Sequence, residues 1–395
     1  MSNSLKVLIV SDLHAVIDER HKDDSHLFID GASSEFVDAF ISFVNDLGVN
    51  FDLLVCAGDV ANKASNGAFE AGWMVLNKIR KELGVRDFYC VPGNHDHKSR
   101  HTGNSFDPKH DLQFANPPFP LDCNIKSTHF WAWNWCCVNC DSYNMVLLNS
   151  SAYHGYGDEH SHGRVAYEIS DQIKDYVNSE RFIKKPINIL LCHHHPTKME
   201  QVDRDYDTQE MQGGQYLIQC LGEAGKGGWL IIHGHKHFPE ISYASGSTSE
   251  PITVLSAGSF SAVIHSEIMG KTSNQFYILD IDLSESKASG RAVGKFETYE
   301  WTLKKGWSRS ESESLPAKGG FGSLLTPSLI ASRIESLIEE DEAGFLEEND
   351  LTDIQKIVDN FVPTDFKKLV NNLRSLGFDV IYDSGKINQV GRGHG

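Results

Sequence analysis

Five short apolar runs in this chain, at residues 5–10, 51–56, 87–91, 186–192 and 229–232, each stop at residues that bind metals well. Runs of this length that end abruptly read as buried strands. They give way to Ser11-Asp12-Leu13-His14, Ala57-Gly58-Asp59, Pro92-Gly93-Asn94-His95-Asp96, His193-His194-His195-Pro196 and His233-Gly234-His235-Lys236-His237. A parallel-type sheet collects the carboxyl ends of its strands at one edge, where ligands of open α/β sheets bind. Helical spacing at 36–47 (Phe36, Phe40, Val44, Leu47) and helices at 69–83, 168–177 and 215–224 separate the strands. Alternating strands and helices predict a layered α/β sheet.

The rest of the chain constrains the surroundings of that edge. The stretch 99–126 holds Pro and Asn and reads as a lid or specificity loop. Alternation of Trp131, Trp133 and Trp135 with smaller residues predicts a strand over 129–140, its large side chains on one face. Closing strands are expected at 251–255, 276–281 and 296–303, followed by a Ser-, Gly- and Lys-rich linker at 304–327. Beyond it, helices at 328–338, 353–359 and 365–376 and a strand at 378–382 form a small α-rich C-terminal segment, 328–395. The domain assignment is therefore 1–303, a linker at 304–327, and 328–395. The acidic stretch from Glu339 to Glu348 reads as a solvated helix face and loop, with a docking surface for a protein partner as the alternative.

Charge and composition exclude several classes. A formal charge of -18 disfavours broad non-specific contact with nucleic acid but leaves room for a phosphate ester at a locally cationic centre. No apolar run approaches the roughly 20 residues that span a bilayer, so no membrane partner is expected. The opening residues lead straight into Asp12 and read as a first strand, not a leader; with eight Cys this predicts a cytoplasmic protein with reduced thiols. Cys137-Val138-Asn139-Cys140, near Cys123 and Cys136, has no second pair to complete a zinc site and reads as core packing.

In order, the candidate residues are Asp12, His14, Asp59, Asn94, His95, His194, His235 and His237. Two carboxylates, an amide and several imidazoles suit two divalent first-row cations about 3.5 Å apart. A carboxylate such as Asp59 bridges two cations where they repel most. The donor set admits manganese, iron or zinc.

Asp-x-His, Gly-Asp, Gly-Asn-His-Asp, His-x-Pro and Gly-His-x-His, in this order over roughly residues 5–300, resemble the calcineurin-like metallophosphoesterase superfamily. The likeness is nearest the branch with bacterial cyclic-nucleotide phosphodiesterases and glycerophosphodiesterases. It implies a four-layer α/β/β/α sandwich and hydrolysis of a phosphate ester by in-line attack of a metal-bound hydroxide. By position, Asp12, His14 and His237 would hold one metal, Asn94, His194 and His235 the other, and Asp59 both. His193 is the alternative to His194, which stands two before Pro196. His95 would protonate the leaving alkoxide and Asp96 would orient its ring.

A phosphodiester is the preferred substrate, because a protonating His95 helps expel a poor leaving group; nucleotides and nucleic acid both fall within that chemistry. Alternatives are a phosphomonoesterase or protein phosphatase, a nuclease subunit whose partner supplies basic surface, and a non-catalytic scaffold. His21, His26, His97, His154, His160, His162 and His265 read as loop surface, with His97 and His265 best placed to touch substrate.

Overall fold

The computed structural model describes residues 3–31, 34–65, 67–98, 107–154, 162–199, 209–244, 251–312, 315–341 and 344–393. The chain begins β1 (Ser4–Val10), α1 (Glu35–Asp46), β2 (Leu53–Cys56), α2 (Ala68–Glu82), β3 (Asp87–Cys90), α3 (His110–Gln113) and α4 (Asn124–Trp133). Next come β4 (Trp135–Asn139), β5 (Tyr143–Leu148), α5 (Tyr167–Asn178), β6 (Ile187–Leu191), α6 (Gly214–Glu223) and β7 (Gly228–His233). Then come β8 (Glu240–Ala244), β9 (Ile252–Ser256), β10 (Asn274–Asp282), α7 (Leu283–Ser289), β11 (Gly294–Thr302), β12 (Gly306–Arg309) and β13 (Lys318–Phe321). The last elements are α8 (Pro327–Glu340), β14 (Phe345–Glu347), α9 (Thr352–Val358), α10 (Pro363–Ser375), β15 (Phe378–Asp383) and β16 (Lys386–Arg392).

Successive side chains of a strand point to opposite faces, and in β1 both faces are apolar. Leu8 and Val10 join Phe36, Phe40 and Val44 of α1 and Trp73, Leu76 and Ile79 of α2 in an outer core. Leu5, Val7 and Ile9 face a second core shared with Met145, Leu147, Ile189, Leu191, Leu230 and Ile232 of the other sheet. That sheet turns Val146, Leu190, Ile231 and Val254 outward onto α5 and α6. The result is the expected four-layer α/β/β/α sandwich.

The first sheet runs β12-β11-β10-β1-β2-β3, with β13 also on β11; the second runs β4-β5-β6-β7-β9-β8. β1, β2 and β3 are parallel, with Val10, Cys56 and Cys90 in register. β6, β7 and β9 are parallel too, with Leu191 beside Ile232 and Ile232 beside Leu255. Parallel strands in register deliver their C-terminal turns to one place, so the two sheets present their polar ends along a shared edge.

Three expectations need correction. Residues 129–140 are not one strand: α4 carries Trp131 and Trp133, and only Trp135 opens β4. Asn134 ends the helix with φ 61°, so the three tryptophans lie across a helix–strand junction and share no face. Residues 304–327 are not a free linker, because β12 and β13 both pair with β11. Glycines there serve close approach rather than flexibility: a Cβ on Gly319 would collide with the Phe296 ring, and one on Gly320 with the Asp359 carbonyl. The C-terminal segment holds three helices as expected but also a sheet, β14-β16-β15, around a core of its own that includes Ile334, Leu369, Leu373 and Val390. His160, Glu342 and residues 99–106 of the expected lid lie outside the described residues.

Leu315 and Phe321, inside the expected linker, are buried in the core between the sheets. Each such side chain contributes about 1.5–3 kcal/mol on burial. A chain ending at residue 305 should therefore unfold at clearly lower denaturant than one ending at 325. Equal midpoints in chemical denaturation would show that β12 and β13 brace nothing.

Candidate metal centre

Each candidate side chain is held by a turn at the C-terminal end of a strand, and the backbone there is under strain. Asp12, His14, Asp59, His235 and His237 have φ of 51°, 48°, 51°, 78° and 55°. Such left-handed conformations cost of order 1–3 kcal/mol each in residues with a side chain and persist only where the surroundings impose them. Here the turns are cross-tied. Asp12 N–H donates to the Gly58 carbonyl at 3.0 Å, His14 N–H to the Asp59 carbonyl at 2.9 Å, and Gly234 N–H to the His193 carbonyl at 3.0 Å. The Ser259 hydroxyl donates to the Asp12 carbonyl at 2.6 Å.

The motif glycines make room for carboxylates. A Cβ on Gly93 would overlap Asp59 Oδ1, and one on Gly234 would overlap Asp12 Oδ2 and Ser11 Oγ. Gly58, at φ 101°, lies against Gly93 and the His193 ring.

Within these turns two clusters form. In the first, His14 Nε2 stands 3.2 Å from His237 Nε2, and His237 Nε2 stands 3.4 Å from Asp12 Oδ1. In the second, Asn94 Oδ1 lies 3.1 Å from His193 Nε2 and 3.0 Å from His235 Nδ1. Asp59 Oδ2 belongs to both: it is 3.5 Å from His14 Nε2 and 3.3 Å from His193 Nε2. Asp12 and Asp59 are buried, as are His14 and His193.

Electrostatics follow from this crowding. Burial pushes the Asp12 carboxyl up, but the hydrogen bond and charge of His237 outweigh it and hold the group below its usual value. For Asp59 burial is likewise outweighed, by His193 and His95 first, and the carboxyl is held well below the usual range. Burial takes His14 down to about 3, with His95 adding to the effect. Burial also lowers His193, yet Asp59 beside it prevails and raises the ring to about 9.

Two ring nitrogens face each other at 3.2 Å, and two buried carboxylates are contacted by imidazoles, a serine hydroxyl and backbone N–H groups, a donor set whose chemistry suits cations. Isolated buried carboxylates are costly. Imidazole nitrogens and carboxylate oxygens that converge in this way could hold metal ions.

The other predicted residues sit close by. The His95 ring packs edge-on to His14 at 4.6 Å, and its Nδ1 accepts from the Lys63 amide at 3.3 Å. The Asp96 carboxylate accepts from the Ala61 amide at 2.7 Å and the Gly93 amide at 2.8 Å, tying together the turns that carry Asp59 and Asn94. His194 packs beside the second cluster, its ring centroid 4.5 Å from that of His235, with Nδ1 on Ser150 Oγ at 2.9 Å. His97 is buried rather than on the surface, with Nδ1 on the Gly93 carbonyl at 3.0 Å, whereas His265 is exposed and lies 3.8 Å from Glu267. Among the described residues no cysteine joins a metal-capable grouping. Ser11, Ser150 and Ser259 brace the ligand turns, a task that nothing in their local sequence pattern marks.

The sequence profile described as calcineurin-like phosphoesterase matches residues 5–266, a span that contains both clusters. The chain belongs to this family. Calcineurin-like phosphoesterases are hydrolases, and the chain is 23% identical over 249 residues to a probable cyclic nucleotide phosphodiesterase of Psychrobacter arcticus, covering 62% of this chain and 77% of that one. Among solved structures it resembles purple acid phosphatase PPD1 from yellow lupin, with TM-score 0.46 and 13% identity, over 78% of this chain and 53% of the other. It thus spans about half the length of that lupin enzyme. A dimetal phosphatase from Danio rerio gives TM-score 0.40 and 11% identity, over 78% and 97% of the two chains. Among the described residues no helix is long and apolar enough to cross a membrane.

If the phosphoesterase centre depends on the Gly93–Asp59 approach, Gly93→Ala should lower the metal content of the purified protein while far-UV circular dichroism stays unchanged. Full metal content in the variant would show that the contact is dispensable. Metal binding to the native state alone also stabilises it. Adding manganese to chelator-treated protein should therefore raise its thermal midpoint, and Asp59→Asn should remove most of that rise.

Proposed function

We propose that the chain is a binuclear metal-dependent phosphodiesterase. The observation that carries this reading is the Asp59 carboxylate, whose Oδ2 lies within 3.5 Å of one imidazole from each cluster. In this reading Asp12, His14 and His237 hold one cation and Asn94, His193 and His235 the other, with Asp59 between them. His193 takes the place that the motif spacing assigns to His194. Its Nδ1 donates to the Ala57 carbonyl at 2.7 Å, so a cation that displaced the ring's other proton would meet the lone pair on Nε2, beside Asn94 and Asp59. A backbone acceptor of this kind sets the tautomer of a metal-binding histidine.

Two divalent cations bound there would neutralise phosphate charge and acidify the attacking water. The chain supplies the remainder. The Lys63 amide donates to His95 Nδ1, so the neutral ring keeps its proton on Nε2, from which it can pass to a departing alkoxide oxygen. Asp96 acts one step back, holding the Ala61 and Gly93 amides so that Asp59 and Asn94 keep their separation. An alkoxide is a poor leaving group and gains much from such a proton, and an alkyl diester carries one. The relative named as a probable cyclic nucleotide phosphodiesterase supports the same class.

Hydrolysis of bis(p-nitrophenyl) phosphate beside p-nitrophenyl phosphate, with manganese added, tests this. The diester should be the better substrate. General acid catalysis is worth about 10²–10⁴-fold, so His95→Ala should lose at least about 10²-fold on diesters with alkoxide leaving groups. Faster monoester turnover, or an unimpaired His95→Ala on such diesters, would move the chain to the phosphomonoesterases.

A further inference from the structure

His193 and His194 are neighbours in sequence, yet their hydrogen bonds assign them opposite tautomers. Ser150 Oγ is the reason. It accepts the amide N–H of His193 at 3.2 Å and of His194 at 3.0 Å. A serine hydroxyl has two acceptor sites and one proton. With both acceptor sites taken, the hydroxyl must donate its proton to the remaining partner, His194 Nδ1, at 2.9 Å. His194 Nδ1 is therefore the acceptor and carries no hydrogen. The ring's proton is on Nε2.

That Nε2–H is buried and has no hydrogen-bond partner among the described residues. Leaving a buried donor unpaired is costly, so such a group calls for an explanation. The ring is locked where it stands: Gly163, at φ 79°, lies flat against it where any Cβ would overlap, and the rings of His193 and His235 are 4.8 and 4.5 Å away. His194 converges with His193 and His235 in a grouping that could hold a metal, but a nitrogen that bears a proton offers no lone pair to one. It offers a hydrogen bond to an anion.

We propose that His194 is not a metal ligand but a phosphate-binding residue, held by Ser150 so that its Nε2–H donates to an oxygen of a phosphate anion at the second cluster. The role rests on the two-metal reading above, whereas the tautomer does not. A neutral donor here adds no charge to a centre already dense with imidazoles, and it binds the oxyanion without competing for a metal position. Ser150, contributed by the turn after β5, acts through His194 and is a positioning residue.

Two measurements decide it. The first is the binding of inorganic phosphate to manganese-loaded protein by calorimetry, with metal content measured in parallel, for wild type, His194→Ala and His194→Gln. The Gln side-chain amide places an N–H near the Nε2 position. A hydrogen bond to a charged group is worth about 1.5–3 kcal/mol, so His194→Ala should weaken phosphate about tenfold or more at unchanged metal content, and His194→Gln should recover part of the loss. Loss of one metal per chain in both variants would make His194 a ligand and overturn the proposal. Unchanged phosphate affinity would overturn it as well, leaving the ring a packing role. Wild type that takes up no metal would instead sink the two-metal reading. The second measurement needs neither metal nor a variant that binds phosphate: long-range ¹⁵N–¹H spectra of metal-free protein labelled at histidine, with the His194 signals assigned by their loss in His194→Gln. The expected pattern has the proton on Nε2; a proton on Nδ1 would refute the proposal whatever the metal content.

Discussion

The structure around this centre depends on one buried carboxylate. Asp59 lies between imidazoles that arrive from different sheets, His14 after β1 and His193 after β6, and its Oδ2 is within 3.5 Å of both. A charge in that position is tolerable only with positive partners close by. Its other oxygen accepts the His95 amide at 2.7 Å, which ties the third strand end to the second. One side chain therefore fixes the relative placement of three turns and couples the two sheets through electrostatics at the edge where they also meet.

Holding that carboxylate requires backbone the chain would not adopt unaided. Five of the candidate ligands have positive φ, and the turns that bear them are tied to one another by amide–carbonyl bonds and by serine hydroxyls. The apolar layers beneath provide the stiffness. Leu8, Val10, Leu54 and Cys56 pack outward on α1 and α2 while Ile9, Val55, Leu191 and Ile232 pack between the sheets. Strands clamped on both faces cannot slip, so their last residues are rigid mounts for strained turns. Fold stability and site geometry are thus linked through the register of β1, β2 and β3.

Hydrogen bonding then divides labour among residues of the same type. His193 gives its Nδ1–H to the Ala57 carbonyl, His194 receives the Ser150 proton on Nδ1, and His95 accepts the Lys63 amide. In the proposed reading these three imidazoles would serve three tasks: lone-pair donation to a cation, hydrogen bonding to an anion, and proton delivery. None of these partners is a charged side chain, so the assignments follow from backbone and hydroxyl geometry.

Much of this was legible in the linear pattern. Short apolar runs ending in Asp12, Asp59, Asn94 and His235 were enough to foresee parallel strands, a layered α/β sheet and a polar edge, because strand burial and the position of strand ends are local consequences of residue order; the four-layer sandwich was implied by the family resemblance of the motifs. The three alternating tryptophans and the Gly-rich stretch after β11 misled, since alternation cannot tell a strand from a helix–strand junction, and glycine marks close approach as readily as freedom. Nor could sequence order choose between His193 and His194. Adjacent residues after a strand point in different directions, and which ring faces Asn94 is set by the partners each finds, Ala57 in one case and Ser150 in the other, 136 and 44 residues away. Residue order determined which donors reach the edge of the sheets; only the packed structure decided which nitrogen of each keeps a proton, because a tautomer is set by contacts between segments far apart in the chain.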